Sequence, residues 1–392
     1  MIRKVKFSNF YSFNKEQKID FLAKKKKTYD YYESKTENQI TKIAGFVGGN
    51  ASGKTNIMRL FSFFRYFACE SSKDESAGAL NVNYKTFFNN KKLSTFYVEF
   101  EIEDAVFFYD FTIQENSIHK ETLQTKKIEK GSKKIEIFSR NSNKIENLHK
   151  DYFKRFPLEF LKKIRPDVSL LAFLKAHYDI EIINKVFNYF EGFKTNINES
   201  GQLNHVPNQI NSIELYLKDN KLKKEMEDFI CHFDIGLSNF IIKKETKDQA
   251  FFISVKGVHT TKEKNNTLEF RYESRGTQSL FFTLANILSG LKNNNVIIID
   301  EIESGFHPEA LNKIINYFID ENQEKKAQII FSSHSLGFMN KLDMHQIYLV
   351  EKNVESESFA YRLNQVEGVR SDENFLAKYM TGAYGAFPKI RV

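Results

Sequence analysis

The sequence predicts an α/β nucleotide-binding fold, a mixed sheet carrying a phosphate-binding loop, joined to an antiparallel β region and interrupted by a helical lobe. Three observations predict it. Gly48-Gly49-Asn50-Ala51-Ser52-Gly53-Lys54-Thr55 fits the phosphate-loop pattern in a chain with only 17 glycines in 392 residues. Val296-Ile297-Ile298-Ile299-Asp300-Glu301 is a β-branched run ending in two carboxylates. Between them the periodicity changes from two to that of helices.

In chain order, Lys4 to Phe7 and Gln17 to Phe21 read as short strands around Asn9-Phe10-Tyr11-Ser12-Phe13. A lysine-rich loop, Lys24 to Lys27, leads to Ile40 to Val47, an apolar inner strand. The phosphate loop follows it, and Asn56 to Phe64 reads as a helix. Strand, loop, helix is the order the motif needs, because the helix N-terminus and the loop's backbone N–H groups together hold anionic phosphate. Residues Gly48 to Asn56 are therefore the nucleotide-binding candidates. Lys54 is expected on the β- and γ-phosphates of ATP, and the Thr55 hydroxyl on Mg²⁺.

Ser71 to Leu93 is polar and irregular. Thr95 to Ile102 and Ala105 to Ile113 alternate around Glu103-Asp104 and predict an antiparallel hairpin, with strand-like pieces continuing to about Phe138. Tyr152 to Ile164, Ile180 to Phe193 and Ile213 to His232 have helical spacing, and Asn196 to Gln209 has the Asn, Ser, Gly and Pro of a loop. The expected organisation is thus 1–144 as the first half of the nucleotide-binding head, 145–250 as a helical insertion, and 251–392 as the second half.

From Phe251 the chain returns to strands. Tyr272-Glu273-Ser274-Arg275-Gly276-Thr277-Gln278 precedes an apolar helix, Phe281 to Leu291, so Ser274, Gly276 and Thr277 form a candidate anion site at a helix start. At the end of the acid strand, Asp300 is expected to hold Mg²⁺ and Glu301 to act as general base on the attacking water. A turn, Ile302 to Pro308, leads to a helix over Glu309 to Ile319. Ala327 to Ser333 then reads as another buried strand, ending at His334, whose imidazole could contact the γ-phosphate or the water.

Composition narrows the class. No apolar run approaches the roughly 20 residues that span a bilayer, and Cys69 and Cys231 are too few for a disulfide framework or a zinc site, so a cytoplasmic protein is expected. The net charge of +8 gathers partly in Lys24 to Lys27 and Lys126 to Lys134. These patches suit solvated loops better than a dedicated DNA contact, because 50 acidic residues mix the surface.

The order of phosphate loop, inserted lobe, Ser-x-Gly-Thr-Gln at a helix start, Asp-Glu strand and strand-end His resembles the ATP-binding-cassette (ABC) class of ATPases, in the branch of structural-maintenance-of-chromosomes (SMC) and RecF-like proteins. More closely, with the tail Tyr379 to Pro388 and the start Asn9 to Phe13, it resembles AAA-domain ATPases of OLD-like and abortive-infection defence systems. The resemblance covers both ends of the chain but not the middle. It implies an ABC-type ATPase head that forms an ATP-dependent head-to-tail dimer, in which Ser274 and Gly276 of one subunit cap the γ-phosphate on the other subunit's Lys54.

Two features depart from that pattern. Glu-Ser-Arg-Gly-Thr-Gln stands where Leu-Ser-Gly-Gly-Gln is usual, and Gln124, after the β-hairpin region, is the candidate for the family's glutamine loop. About 58 residues follow His334, too few for a TOPRIM nuclease domain, so any nuclease or TOPRIM-like effector is expected on a separate partner. The expected function is an ATPase sensor or scaffold subunit of an anti-phage system. The alternatives are a DNA-binding repair ATPase and, less well matched, a transporter's nucleotide-binding subunit.

Overall fold

The protein is described from a computed structural model covering residues 1–24, 28–36, 38–73, 80, 84–154, 164–198, 201–202, 206–234, 236–247, 250–262 and 264–387. Alternation builds its first layer. In Ser94–Ile102, Phe96, Val98 and Phe100 are buried at every second position, and the strand pairs with Ala105–Gln114 from Ile102↔Ala105 outward. Glu103-Asp104 is left as a two-residue turn with Glu103 at φ 52°, the backbone sign such tight hairpins need. The full antiparallel sheet has seven strands, in the spatial order Lys144–Leu148, Ile135–Asn141, Ser117–Lys127, Ala105–Gln114, Ser94–Ile102, Ile2–Ser8, Gln17–Asp20.

Uninterrupted apolar runs build the second sheet, whose order is Lys194–Thr195, Val296–Ile299, Gln328–Ser332, Ile43–Val47, Ile347–Lys352, Ser358–Arg362. All neighbours are parallel except the last pair. Every residue of Ile43–Val47 and Val296–Ile299 is buried, as strands covered on both faces require. The helix Lys54–Cys69 joins the two layers: Phe67 stacks on Phe111 of the antiparallel sheet with centroids 3.8 Å apart, while Ile298 and Ile330 lie in the same core.

The helices Arg275–Asn293 and Pro308–Glu321 form a second core with the central sheet. Gly290 lets the first of them approach closely, since a Cβ there would lie 2.3 Å from Ile297. A third sheet, Leu237–Lys247, Ala250–Thr260 and Asn265–Glu269, packs Phe240 edge-on to Phe281.

The structure differs from the expected element boundaries at specific points. Ile40 to Val47 is not one strand: Gln39–Thr41 joins a small sheet with Leu22–Ala23 and Tyr31–Tyr32, and only Ile43–Val47 enters the central sheet. The break falls at Lys42, whose buried ammonium donates to the carbonyls of Asn322 (2.5 Å) and Gln323 (3.1 Å). The helical spacing of Ile213 to His232 belongs to two helices, Val206–Lys218 and Asn220–Cys231, because the Asp219 carboxylate accepts from Lys221 N and Leu222 N and starts a new helix. Within 145–250 the chain forms these two helices, Leu170–His177 and Glu181–Glu191, and also sends Lys194–Thr195 back to the edge of the central sheet beside Ile297-Ile298. Most of the expected helix Tyr152 to Ile164, the patch residues 25–27 and Pro388 lie outside the described residues, as does part of Asn196 to Gln209, whose described residues are not a loop but the strand pair Ile197–Asn198 and Gly201–Gln202 and the start of the helix Val206–Lys218.

Candidate nucleotide site

The phosphate loop leaves the strand Ile43–Val47 and enters the helix Lys54–Cys69 through Gly53, at φ 118°. Two glycines are fixed by close approach: a Cβ on Gly48 would lie 2.0 Å from the Val350 carbonyl oxygen, and one on Gly53 2.6 Å from Ser358 Oγ. The strand hairpin Ile347–Lys352 and Ser358–Arg362 thus moulds the loop, and Ser358 Oγ donates to the Ser52 carbonyl (2.6 Å).

Lys54 is buried and donates Nζ to the carbonyls of Gly48 (2.7 Å) and Gly49 (3.1 Å). Burial pushes its ammonium below the usual lysine range, against the pull of Asp300, Glu301 and Glu303. Asn56 faces elsewhere than the loop, its amide donating to Ser12 Oγ (2.8 Å) and accepting from Arg59 Nη1 (2.9 Å).

At the end of the acid strand, Asp300 is buried beneath a net of hydrogen bonds. Ser332 Oγ donates to Asp300 Oδ1 (2.6 Å), and the Thr55 hydroxyl also reaches the carboxylate. Asn196 clamps the Asp300 backbone, accepting from its N (2.8 Å) and donating to its O (2.9 Å). Burial raises the Asp300 carboxyl above the usual range, with the Ser332 and Thr55 bonds opposing it. Glu301, at φ 49° and half-exposed, has His334 Nε2 3.6 Å from Oε1 and accepts from Gln202 Nε2 (3.2 Å) at Oε2. The backbone N–H groups of His334 and Ser335 both donate to Glu303 Oε1, which fixes the strand end that presents His334.

Ser274 caps the helix Arg275–Asn293, accepting from Thr277 N (3.0 Å). Its Oγ lies 2.8 Å from Thr277 Oγ1, which donates to Asp234 Oδ2 (2.6 Å). A Cβ on Gly276 would meet the Gly305 carbonyl at 2.9 Å. The exposed Ser274 and its neighbours thus contact Asp234 and Gly305 rather than residues 48–56.

Sequence reasoning missed three contributors. Gln124 is paired opposite Phe108 and Glu136 inside the antiparallel sheet, so it is not the glutamine that faces the acids; Gln202 is. Asn196 and Glu303 complete the set. The available signal was weak: two amides in a polar stretch that reads as a loop, and one more carboxylate in the turn after the acid strand.

The donor set fits a magnesium–nucleotide complex. Thr55 and Asp300 bring hard oxygen donors together, and Mg²⁺ ordinarily takes one or two protein ligands beside phosphates and water. Among the described residues no group of three or more His, Cys, Asp or Glu forms a metal cage, and none is needed for such a site. Ser52 Oγ is buried without a hydrogen-bond partner at the loop, a polar atom that a phosphate oxygen would satisfy.

Fold and site together define a P-loop nucleotide-binding α/β protein. The chain belongs to the family described as "AAA domain, putative AbiEii toxin, Type IV TA system", whose model matches residues 43–340, about three quarters of its length. No curated protein sequence matches it. Among solved structures, an SMC head bound to the C-winged helix domain of ScpA aligns with TM-score 0.51 and 12% identity over 93% of this chain and 99% of that one. SMC heads from Thermotoga maritima (TM-score 0.41, 14% identity, 92% and 98% covered) and Pyrococcus yayanosii (0.44, 10%, 97% and 99%) also align. Among the described residues no helix is long and apolar enough to cross a membrane.

Proposed function

We propose that this chain binds ATP with Mg²⁺ at Gly48 to Thr55 and hydrolyses it, and that two copies associate head to tail when ATP is bound. The observation that carries this is the assembly of Lys54, Thr55, Asp300 and Glu301 at one sheet edge, with the start of the helix Arg275–Asn293 exposed at Ser274 and hydrogen-bonded to Asp234 rather than to its own phosphate loop. Thr55 and Asp300 would hold Mg²⁺, which when bound supplies positive charge to the phosphate oxygens. Lys54 leaves its two carbonyl partners for phosphate. Glu301, positioned by Gln202, accepts the proton of the attacking water, and His334 stands beside it. Ser274 and Gly276 cap the partner's γ-phosphate from a helix N-terminus, Ser274 turning its hydroxyl proton from Thr277 to the phosphate while Thr277 stays bound to Asp234 behind it.

In this reading residues 1–144 and 251–392 are the two halves of the head, and 145–250 is the insertion, which contacts the site through Asn196 and Gln202. The biological role is that of a cytoplasmic sensor or scaffold in an OLD-like, abortive-infection type of defence system, controlling a separate nuclease or TOPRIM-like effector. The family description and the chemistry of an ATP-gated dimer support it.

The test compares Lys54→Ala with Ser274→Arg. Lys54→Ala should abolish nucleotide binding. Ser274→Arg should bind ATP normally and remain a monomer by light scattering, whereas Glu301→Gln accumulates the ATP-bound dimer. Equal loss of nucleotide in both variants overturns the shared site. An effector that copurifies with Glu301→Gln supports the defence role, and salt-sensitive DNA-stimulated hydrolysis without one favours the repair ATPase.

A further inference from the structure

A polar cavity of about 840 Å³ opens behind Glu301, between the edge strand Lys194–Thr195 and the helices Val206–Lys218 and Arg275–Asn293. One end carries two cations beside a single carboxylate, Glu191. Arg65 and Lys194 line it together, and burial and the Arg65 charge both push the Lys194 ammonium below its usual range. Lys194 Nζ meets no hydrogen-bond acceptor among the described residues, with only the longer-range attraction of Glu191. Arg65 spends Nη1 on Glu70 (2.5 Å), and its Nε is buried without a partner. Two half-buried cations with unfilled donors stand where an anion would be stabilised.

This end is not the phosphate loop. Arg65 is eleven residues beyond Lys54 on one helix, about 16 Å at the rise of an α-helix. Lys194 pairs with Ile297, so Asp300 lies three residues, about 10 Å, further along the acid strand. The walls between the two ends combine an aromatic face, Phe282, with the amides of Asn211, Gln278 and Asn286. The volume lies in the range of small-ligand pockets.

We infer that this cavity binds a small phosphate ester of mononucleotide size, its phosphate on Arg65 and Lys194 and its body along Phe282 and the amides. Gln202 and Glu301 border the same cavity, so occupancy changes the hydrolysis rate; that consequence rests on the ATPase reading above, whereas binding does not.

The test is calorimetric titration of the full chain, with its phosphate loop saturated by Mg²⁺–ADP, using AMP and inorganic phosphate as separate probes. AMP should bind once per chain. Lys194→Gln, checked for an unchanged melting temperature, should weaken it about tenfold or more, the loss of one charge-assisted hydrogen bond. Arg65→Gln gives the same reading if Lys194→Gln fails to fold. Lys54→Ala, titrated without ADP, should keep AMP binding, which separates this site from the phosphate loop and decides the inference even if ATP binding fails. The inference is overturned by the absence of AMP binding, by phosphate binding without AMP, or by loss in Lys54→Ala with Lys194→Gln and Arg65→Gln unaffected.

Discussion

Thr277 donates its hydroxyl proton to the Asp234 carboxylate across 2.6 Å, and this bond orients the linked hydroxyls of Thr277 and Ser274 at the helix start. With that proton committed, the 2.8 Å contact between Ser274 Oγ and Thr277 Oγ1 requires Ser274 to be the donor, while Ser274 accepts from Thr277 N. Asp234 lies just beyond the helix Asn220–Cys231, so the middle of the chain fixes the residue proposed to reach the partner. Asp234→Ala should therefore leave nucleotide affinity unchanged and weaken ATP-dependent association of Glu301→Gln about tenfold or more, the value of a hydrogen bond to a charged acceptor. Sedimentation velocity with and without ATP measures it; an unchanged dimer constant refutes the coupling.

Gln202 bridges the Asp300 carbonyl and Glu301 Oε2, both at 3.2 Å. Its loss frees the Glu301 carboxylate without touching the phosphate loop. We expect Gln202→Ala to lower the single-turnover hydrolysis rate about tenfold, a modest share of what a positioned base contributes, with ATP affinity within about twofold of wild type. A parallel fall in both quantities would show that Gln202 serves binding instead.

The parts legible in the sequence were those whose signal is local. Gly48 to Thr55 carries its geometry in its residue types, and Val296 to Ile299 reads as a buried strand because all four side chains are apolar and β-branched. Gln202 and Asn196 carry no such signal, since an amide in a polar stretch gains its role only when Lys194–Thr195 pairs with a strand about a hundred residues away. Helix spacing likewise runs on through Asp219, and only the side chain's bonds to Lys221 N and Leu222 N reveal the break. Lys42 hid the change of sheet for the opposite reason: a single lysine in an apolar run looks like surface, yet its ammonium is buried against two carbonyls.

The antiparallel sheet is anchored by an ion pair with no exposure on either side chain. Arg140 Nη2 lies 2.8 Å from Glu121 Oε2 and donates to the Val168 carbonyl (2.6 Å). Glu121 also accepts from Tyr109 (2.7 Å) and from Leu170 N (2.8 Å), at the start of the helix Leu170–His177. Arg140→Met leaves that carboxylate buried without its cation and should cost about 3–5 kcal/mol. Glu121→Ala strips the acceptor from Tyr109 and Leu170 N as well as leaving the Arg140 guanidinium buried without its anion, and should cost more than Arg140→Met. Thermal denaturation followed by circular dichroism ranks the two, and the reverse order would contradict the assignment of Glu121 as the hub.

Lys42 gives the pH dependence a sign. Burial pushes its ammonium down to about 8 from the ordinary 10.5, opposed by Asp30. A base with a depressed pKa in the folded state binds fewer protons than the unfolded chain between those two values. Stability therefore rises with pH across about 8 to 10.5, and the full penalty of the buried charge is present below pH 8. Lys42→Met removes this titration along with the bonds to Asn322 and Gln323, which contribute a pH-independent offset below pH 8. Because tyrosines and other groups titrate equally in both proteins, the difference between them isolates Lys42. Melting temperatures measured in parallel should show wild type gaining on Lys42→Met as pH climbs from 8 to 10, and a constant difference across that window would mean that the Lys42 ammonium is not depressed by its burial.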